Sequence, residues 1–143
     1  MNRWIAAALV IAVSAGGAFA DSDAIKARRD LMKANGDASK PIVGMLKGGP
    51  FDLTAVQTAL KTYANAAEKM PALFPDDSKT GDTHALPAIW ENKADFDARF
   101  KKLGEDVAAA SASIKDAATF KTDIQPVLKN CGGCHETYRA KLN

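Results

Sequence analysis

Near its end the chain reads Asn130-Cys131-Gly132-Gly133-Cys134-His135-Glu136. The pattern Cys-x-x-Cys-His is the attachment signal of a c-type haem. Each thiol adds across a vinyl group of the porphyrin to give a thioether, and the imidazole that follows becomes an axial ligand of the iron. On a helix these three side chains are spaced i, i+3 and i+4, so they leave the same face. The sequence therefore predicts one covalent haem c, attached through Cys131 and Cys134, with His135 as the proximal iron ligand.

The same cysteine pair has two other interpretations, a redox-active dithiol and a zinc site. No further cysteine occurs in the chain. A thioredoxin-like dithiol is expected after a strand in a βαβ unit, and no stretch here alternates between apolar and polar residues with a period of two. A zinc site would need a fourth ligand, and only His84 is left to supply it. Both alternatives stay open, but haem attachment is favoured.

The first 20 residues have the features of an export signal. A short basic region with Arg3 precedes an apolar run from Trp4 to Val13, and a stretch of small residues ends at Ala20. This pattern predicts a Sec-type signal peptide over residues 1–20, cleaved after Ala20. An uncleaved membrane anchor is the alternative, but the apolar run is short for a span of about 20 residues. Export out of the reducing cytoplasm predicts a periplasmic protein.

Residues 21–143 have the length of one domain. The sequence has 19 Lys and Arg and 17 Asp and Glu, and removal of Arg3 with the signal peptide leaves 18 basic residues against 17 acidic ones. The mature net charge is therefore +1 before haem propionates are counted. No basic tract or block of like charge is present, so nothing indicates a nucleic-acid partner or an anionic membrane surface.

Apolar residues at helical spacing predict two helices in the first half of the chain. The first covers about residues 22–47, is expected to kink at Pro41, and ends at Gly48. Its seam is Ile25, Arg28, Met32, Gly36 or Asn35, Ser39, Val43 and Leu46. The second begins after an N-cap at Asp52 and ends at Pro71. Its seam is Leu53, Val56, Leu60, Tyr63, Ala67 and Met70.

A long connection over residues 72–91 separates these helices from two more. The third starts near Asn92, and the fourth starts near Asp116 or, after a break, near Asp123. The seam of the third is Phe96, Phe100, Leu103, Val107, Ala110 and Ile114. The seam of the fourth is Phe120, Ile124, Val127, Cys131, Cys134 or His135, and Tyr138. Four amphipathic helices predict an all-α, antiparallel four-helix bundle with the haem near the C-terminal helix.

The position of the haem motif narrows the class of cytochrome. In the commonest small c-type cytochromes the motif lies near the N-terminus and a downstream Met is the second ligand, whereas here the eight residues after His135 include no Met. Across the mature chain the sequence instead resembles class II c-type cytochromes, the cytochrome c′ family. The stretches that carry the resemblance are Arg28-x-x-x-Met32, Leu46-Lys47-Gly48-Gly49-Pro50-Phe51-Asp52, Ala85-Leu86-Pro87-Ala88-Ile89-Trp90 and Cys131-Gly132-Gly133-Cys134-His135-Glu136-Thr137-Tyr138-Arg139.

This resemblance implies a distal iron ligand. In the high-spin branch of the family one position of the first helix is commonly apolar, the iron is five-coordinate and small gases bind. In the low-spin branch that position is Met and the iron is six-coordinate. The matching residue here is Met32, and antiparallel first and last helices can bring it to face His135. Two alternatives stay open, because Met32 could fill a gap in the core and His84 could supply a nitrogen ligand.

Four other residues are predicted to contact the haem. Arg28 and Arg139 lie one turn from Met32 and His135 respectively, on the same side of an antiparallel pair, where they could pair with the two propionates. A solvated surface charge is the alternative for Arg28, and a partner for the helix dipole is the alternative for Arg139. Trp90 and Tyr138 are predicted to pack at the haem edge, with no catalytic duty.

The predicted haem and its ligands are consistent with two main functions. The favoured one is a periplasmic one-electron carrier that cycles between Fe(III) and Fe(II), exchanging electrons with periplasmic or membrane redox partners. Met and His ligation would raise its potential. The alternative is a protein that binds nitric oxide or carbon monoxide at a five-coordinate haem. An enzyme such as a peroxidase comes third, because the seam near Met32 offers only Ser39 and Asn35 as weak acid–base groups. The resemblance alone suggests a homodimer.

Overall fold

A computed structural model describes residues 17–142 of the chain. The predicted signal peptide, residues 1–20, lies almost wholly outside this range. Within the range, no helix is both long enough and apolar enough to cross a membrane.

Four long helical stretches form an all-α bundle. Helix α1 covers Gly17–Leu46, α2 covers Leu53–Lys69, a short α3 covers Ala88–Glu91, α4 covers Lys93–Ser113, α5 covers Ala117–Asp123 and α6 covers Gln125–Tyr138. Helix α2 packs against α1 and α4, and α4 packs against α6. The predicted four-helix bundle is therefore confirmed, with its fourth member divided into α5 and α6.

The turn between α1 and α2 follows from its glycines and its N-cap. Gly48 has a φ of 100°, a left-handed conformation that glycine adopts without steric cost. The amide of Gly49 donates to the carbonyl of Gly44 at 3.0 Å and the amide of Gly48 to that of Met45 at 3.1 Å, which satisfies carbonyls at the end of the helix. Asp52 then caps α2, because its side chain accepts from the amide of Ala55 at 3.0 Å.

The last helix of the bundle has two start signals, and the chain uses both. Asp116 and Thr119 form a capping box at the start of α5. Pro126 lies in the first turn of α6, where its missing N–H costs nothing because that group has no partner inside the helix. The break therefore starts a new helix that runs without interruption through the haem motif.

The predicted seam of α1 is wrong at Val43. Val43 is 41 % exposed, whereas Ile42 is fully buried and Met45 is 7 % exposed. One heptad earlier the prediction allowed Gly36 or Asn35, and of these Gly36 is exposed and Asn35 is partly buried. From Ser39 the seam steps three residues to Ile42, whereas the prediction stepped four to Val43. Leu46, the last residue of the predicted seam, is partly buried and packs against the core.

The long connection contains short helical turns and packs against the bundle. Two 3-10 turns cover Met70–Leu73 and Asp76–Ser78, and α3 follows. The ring of Phe74 packs edge-on against Phe96, with centroids 4.7 Å apart. An antiparallel bridge pairs Ala85 with Arg139, directly after α6. The connection therefore reaches from the first two helices to the end of the haem motif.

Candidate haem site

Two cavities meet between α1 on one side and α4 and α6 on the other. One has a volume of about 150 Å³ and the other about 260 Å³. Five residues line both: Met32, Phe100, Cys134, His135 and Arg139. Apolar side chains dominate the first cavity, among them Met70, Ile89, Phe96 and Tyr138. The second cavity adds Cys131, so the whole haem motif opens into this space.

Burial favours the neutral forms of the two thiols and of the imidazole. Cys131 and Cys134 are half-buried, and they are not joined to each other by a disulfide. Burial raises the pKa of both thiols, so they are protonated at neutral pH. Burial, and then the positive charge of Arg139, lower the pKa of His135. A neutral imidazole has a free lone pair, as an iron ligand requires.

Met32 lies on α1 and lines the same two cavities as His135, which lies on α6. It is partly buried and packs against the hydrophobic core. One helical turn on, the Oδ1 atom of Asn35 is buried and has no hydrogen-bond partner among the described residues. A buried oxygen without a partner costs about 1–3 kcal/mol, and it lies on the wall of the second cavity.

The residues present fit a covalent haem. The site offers two thiols and an imidazole on one helix face, a thioether sulfur on the opposite helix and apolar walls between them. This donor set matches the soft thioether and nitrogen ligation of c-type haem iron.

In this structure Arg28 donates hydrogen bonds to carbonyls and hydroxyls of the long connection. It is 4 % exposed, and its guanidinium donates to the carbonyls of Leu73 and Ser78, each at 3.0 Å. It also donates to the hydroxyls of Ser78 and Thr83, each at 2.8 Å. Its charge lies 4.6 Å from the centre of the Phe74 ring. Arg28 therefore fastens the connection to α1, and its predicted pairing with a propionate stays a prediction.

The other predicted contacts divide into residues at the cavity and one residue beside it. Arg139 is exposed and lines both cavities, while Tyr138 and His84 line the first. Trp90 is not among the lining residues. Its indole N–H donates to the carbonyls of Phe74 and Pro75, at 3.0 and 3.2 Å. The structure thus places Trp90 in the connection, and its contact with haem stays a prediction.

Sequence reasoning missed Arg99 and Asp95 on α4. Arg99 lines the second cavity, and its guanidinium donates to the carbonyl of Gly133, between the two cysteines, at 2.9 Å. Hydrogen bonds from Tyr138 and from Arg99 lower the pKa of Asp95. An opposite-charge pair spaced i, i+4 beside the aromatic seam of Phe96 and Phe100 was the available signal. Such pairs are common on solvated helix faces, so the pattern alone did not single them out.

Comparisons with known proteins agree with this geometry. The model of the cytochrome c′ family matches residues 23–139. The chain belongs to the cytochrome c′ family. It is 48 % identical over 134 residues to a cytochrome c′ of Rhodopseudomonas palustris, covering 92 % of each chain. It is 37 % identical over 147 residues to a cytochrome c-556 of the same organism, covering 99 % of each.

A solved structure of the family shows the same fold. The cytochrome c′ from Rhodopseudomonas palustris superposes with a TM-score of 0.82 at 50 % identity, covering 85 % of this chain and 98 % of that one. Members of this family are class II c-type cytochromes, and the chain is accordingly a monohaem c-type cytochrome with one covalently attached haem c and its iron. Both cytochrome c′ and cytochrome c-556 occur among the relatives. The comparisons therefore do not distinguish the high-spin branch of the family from the low-spin branch.

The contacts of Arg28 predict a large effect on stability. Arg28→Leu should lower the free energy of unfolding by about 2–4 kcal/mol, because buried carbonyls and hydroxyls of the connection lose their donor. Chemical denaturation of the purified holoprotein measures this change. The matched control is Arg29→Leu, since Arg29 is the exposed neighbour that pairs with the exposed Asp82, and its loss should cost less than about 0.5 kcal/mol. Equal effects of the two substitutions would contradict the anchoring role of Arg28.

Proposed function

We propose that this protein is a periplasmic one-electron carrier and not an enzyme. Its haem is attached through Cys131 and Cys134, with His135 and Met32 as axial ligands. The observation that carries the proposal is the position of Met32, which lines the same two cavities as His135 from the opposite side. When bound, haem supplies the Fe(III)/Fe(II) couple. A thioether ligand favours the reduced state and raises the potential of that couple.

The chain's own residues hold and shield such a centre. The thiols of Cys131 and Cys134 fix it covalently to α6, and the neutral imidazole of His135 is ready to coordinate. Phe96, Phe100 and the other apolar walls exclude water from the cavity. Two fixed axial side chains on separate helices of a packed bundle keep similar geometry in both oxidation states. Small structural change on electron transfer is what a carrier requires.

The second candidate function is binding of nitric oxide or carbon monoxide at a five-coordinate haem. It is favoured by one observation: beside Met32 the wall of the second cavity carries the small side chain of Ser39 and the unpartnered oxygen of Asn35. A diatomic gas would take the place of the Met32 sulfur if Met32 did not bind iron. Absorption spectra of the purified holoprotein, oxidised and reduced, test the choice. Low-spin spectra in both states support the carrier, and high-spin spectra support gas binding.

The cellular setting is part of the same proposal. The predicted signal peptide and the family resemblance support a periplasmic location, with periplasmic or membrane redox partners. A homodimer is supported by a family member, 25 % identical, whose structure is described by its ligand-controlled dimer dissociation.

The exposed Arg139 gives a test of the electrostatics of this site. Arg139→Leu should lower the reduction potential at low ionic strength, because loss of a nearby positive charge disfavours the more negatively charged reduced state. The shift should shrink as salt is added, since Arg139 is exposed and salt screens it. Potentiometric titration at two salt concentrations measures both effects. The control is Lys101→Leu, because the side chain of Lys101 is 81 % exposed and lines neither cavity, so its loss should give a smaller shift. An unchanged potential for Arg139→Leu would contradict a role of Arg139 at the haem and would favour the alternative, interaction with the dipole of the last helix.

A further inference from the structure

Tyr63 on α2 donates a hydrogen bond to Ser39 on α1. Tyr63 is 1 % exposed, and its hydroxyl oxygen lies 2.7 Å from Oγ of Ser39. A serine hydroxyl carries one hydrogen, and Ser39 uses it to donate to the carbonyl of Asn35 at 2.8 Å. Tyr63 is therefore the donor in its bond with Ser39. Two consecutive hydrogen bonds thus connect the buried tyrosine on α2 to the backbone of α1.

These hydrogen bonds end close to Met32, the proposed iron ligand. Asn35 follows Met32 by three residues and Ser39 follows it by seven, so the three side chains lie on one face of α1. All three line the second cavity. Burial raises the pKa of Tyr63, so its hydroxyl keeps the proton at neutral pH and can donate it. The bond from α2 therefore acts on the face of α1 that presents Met32 to the cavity.

The stretch of α1 around Met32 has little other support from the bundle. Both cavities open beside it, and none of the described residues 29–41 is buried. Leu31 and Ala38 pack against the core, but they are only partly buried. Pro41 has no N–H, so the carbonyl four residues before it lacks its helical donor. The hydrogen bond from α2 therefore reaches α1 where the helix is least held by its own packing.

A buried tyrosine whose hydroxyl simply finds a partner is the simpler explanation. Buried tyrosines usually have such a partner, and Tyr138 is an example, since its hydroxyl donates to Asp95. Tyr63 differs because its acceptor lies on the helix of the proposed ligand and itself donates to the backbone of that helix. A methionine side chain has three rotatable bonds, so the position of the Met32 sulfur depends on how firmly the backbone beneath it is held.

We propose that Tyr63 is a positioning residue for the distal iron ligand, and that it fixes α1 against α2 through Ser39 and so keeps the sulfur of Met32 in place. This inference rests on the proposed function, in which Met32 binds the iron. It concerns the folded, haem-bound protein and requires no contact in the chain before haem is attached. Without the hydrogen bond Met32 still binds, but the iron–sulfur bond breaks more often, with no change in oxidation state.

The rate of carbon monoxide binding to the reduced holoprotein measures this effect. At saturating gas the rate equals the rate at which the Met32 sulfur leaves the iron, because the gas takes the vacated position. Tyr63→Phe removes the hydroxyl, keeps the ring and should bind carbon monoxide about two- to ten-fold faster than the wild type. At about 1.4 kcal/mol per factor of ten, this range corresponds to about 0.4–1.4 kcal/mol, the net contribution of one hydrogen bond. The charge-transfer band of the bond between methionine sulfur and ferric iron should weaken in the same variant.

Two further substitutions separate positioning from stability. Ser39→Ala removes the acceptor and should raise the rate as Tyr63→Phe does, and the double variant should be no faster than the faster single variant, because all three lack the same bond. Gln57→Leu is the matched control. Gln57 also lies on α2 and donates to another helix, at the carbonyl of Ser111 3.3 Å away, but it lines neither cavity. Its loss should lower the free energy of unfolding, measured by chemical denaturation, and leave the rate unchanged.

The possible results decide between the alternatives. In a low-spin wild type, an unchanged rate in Tyr63→Phe, or an equal increase in Gln57→Leu, would overturn the inference and leave the proposed function intact. If Tyr63→Phe does not accumulate, the rate in Ser39→Ala decides in the same way, since Ser39 is only partly buried. A wild type that is high-spin and lacks the charge-transfer band would instead overturn the proposed function, so the two failures are distinguishable.

Discussion

Met32→Ala and Met32→Leu should convert a low-spin haem to a high-spin, five-coordinate one. A thioether on the distal side gives a strong ligand field, so the reduced wild type should show sharp, separated α and β bands. Both substitutions remove the only sulfur among the described residues that faces the cavities from α1. The potential should also fall, because thioether ligation stabilises ferrous iron. Absorption spectroscopy and potentiometric titration measure the two changes.

The kinetics of gas binding provide the sharper comparison. Carbon monoxide should bind the reduced Met32→Ala protein quickly and the wild type slowly, since in the wild type the iron–sulfur bond must break first. Leu at position 32 keeps the volume of the side chain, so a fast rate in Met32→Leu separates ligation from a simple steric effect. His84→Ala is the control, because His84 lines the first cavity and is the rival ligand. If the wild type is already high-spin and binds carbon monoxide as fast as the variants, Met32 is a packing residue and gas binding becomes the preferred function.

The sequence was sufficient to predict the bundle because its signals were local and mutually consistent. The Asp52 N-cap, the glycines after α1 and the Pro126 start of α6 each act within one turn, so they do not depend on the rest of the fold. The seam of α4 was predicted in full, since Phe96, Phe100 and the residues that follow are buried. Where a seam passes through small residues, as at Gly36 and Ser39, steps of three and four residues fit the pattern almost equally well, and the step from Ser39 to Val43 was wrong.

At the candidate haem site, the sequence could predict which residues lie together where their common helix face follows from their spacing. Cys131, Cys134 and His135 share a face on any helix, and the structure places all three at the cavity. The partners of Arg28 were not predictable, because they are carbonyls and hydroxyls of a connection whose path no periodicity specifies. The same holds for Arg99, whose acceptor is a backbone carbonyl on another helix. Backbone acceptors have no sequence signature, so such anchors emerge only with the fold.

Cys131→Ala combined with Cys134→Ala should leave a chain that keeps little haem after acid–acetone extraction and that folds poorly. Without thioethers the haem is held by axial ligation and packing alone, and it is lost when acid protonates His135. A bundle that loses its filler retains a cavity of about 260 Å³ beside Met32. The apolar side chains around this space lose the contacts that haem would give them, and such a loss is a large share of the stability of a domain this size. Thermal unfolding followed by far-ultraviolet circular dichroism measures it.

The single variants complete this test. Cys131→Ala and Cys134→Ala each leave one thiol able to form a thioether, so each should keep haem through extraction and unfold at a temperature between those of wild type and the double variant. Binding to the native state alone stabilises a protein by mass action, and covalent attachment makes that contribution independent of haem concentration. Added haem should therefore raise the melting temperature of the double variant and leave that of the wild type unchanged. A double variant as stable as the wild type, with haem bound to neither, would refute the haem site as a whole.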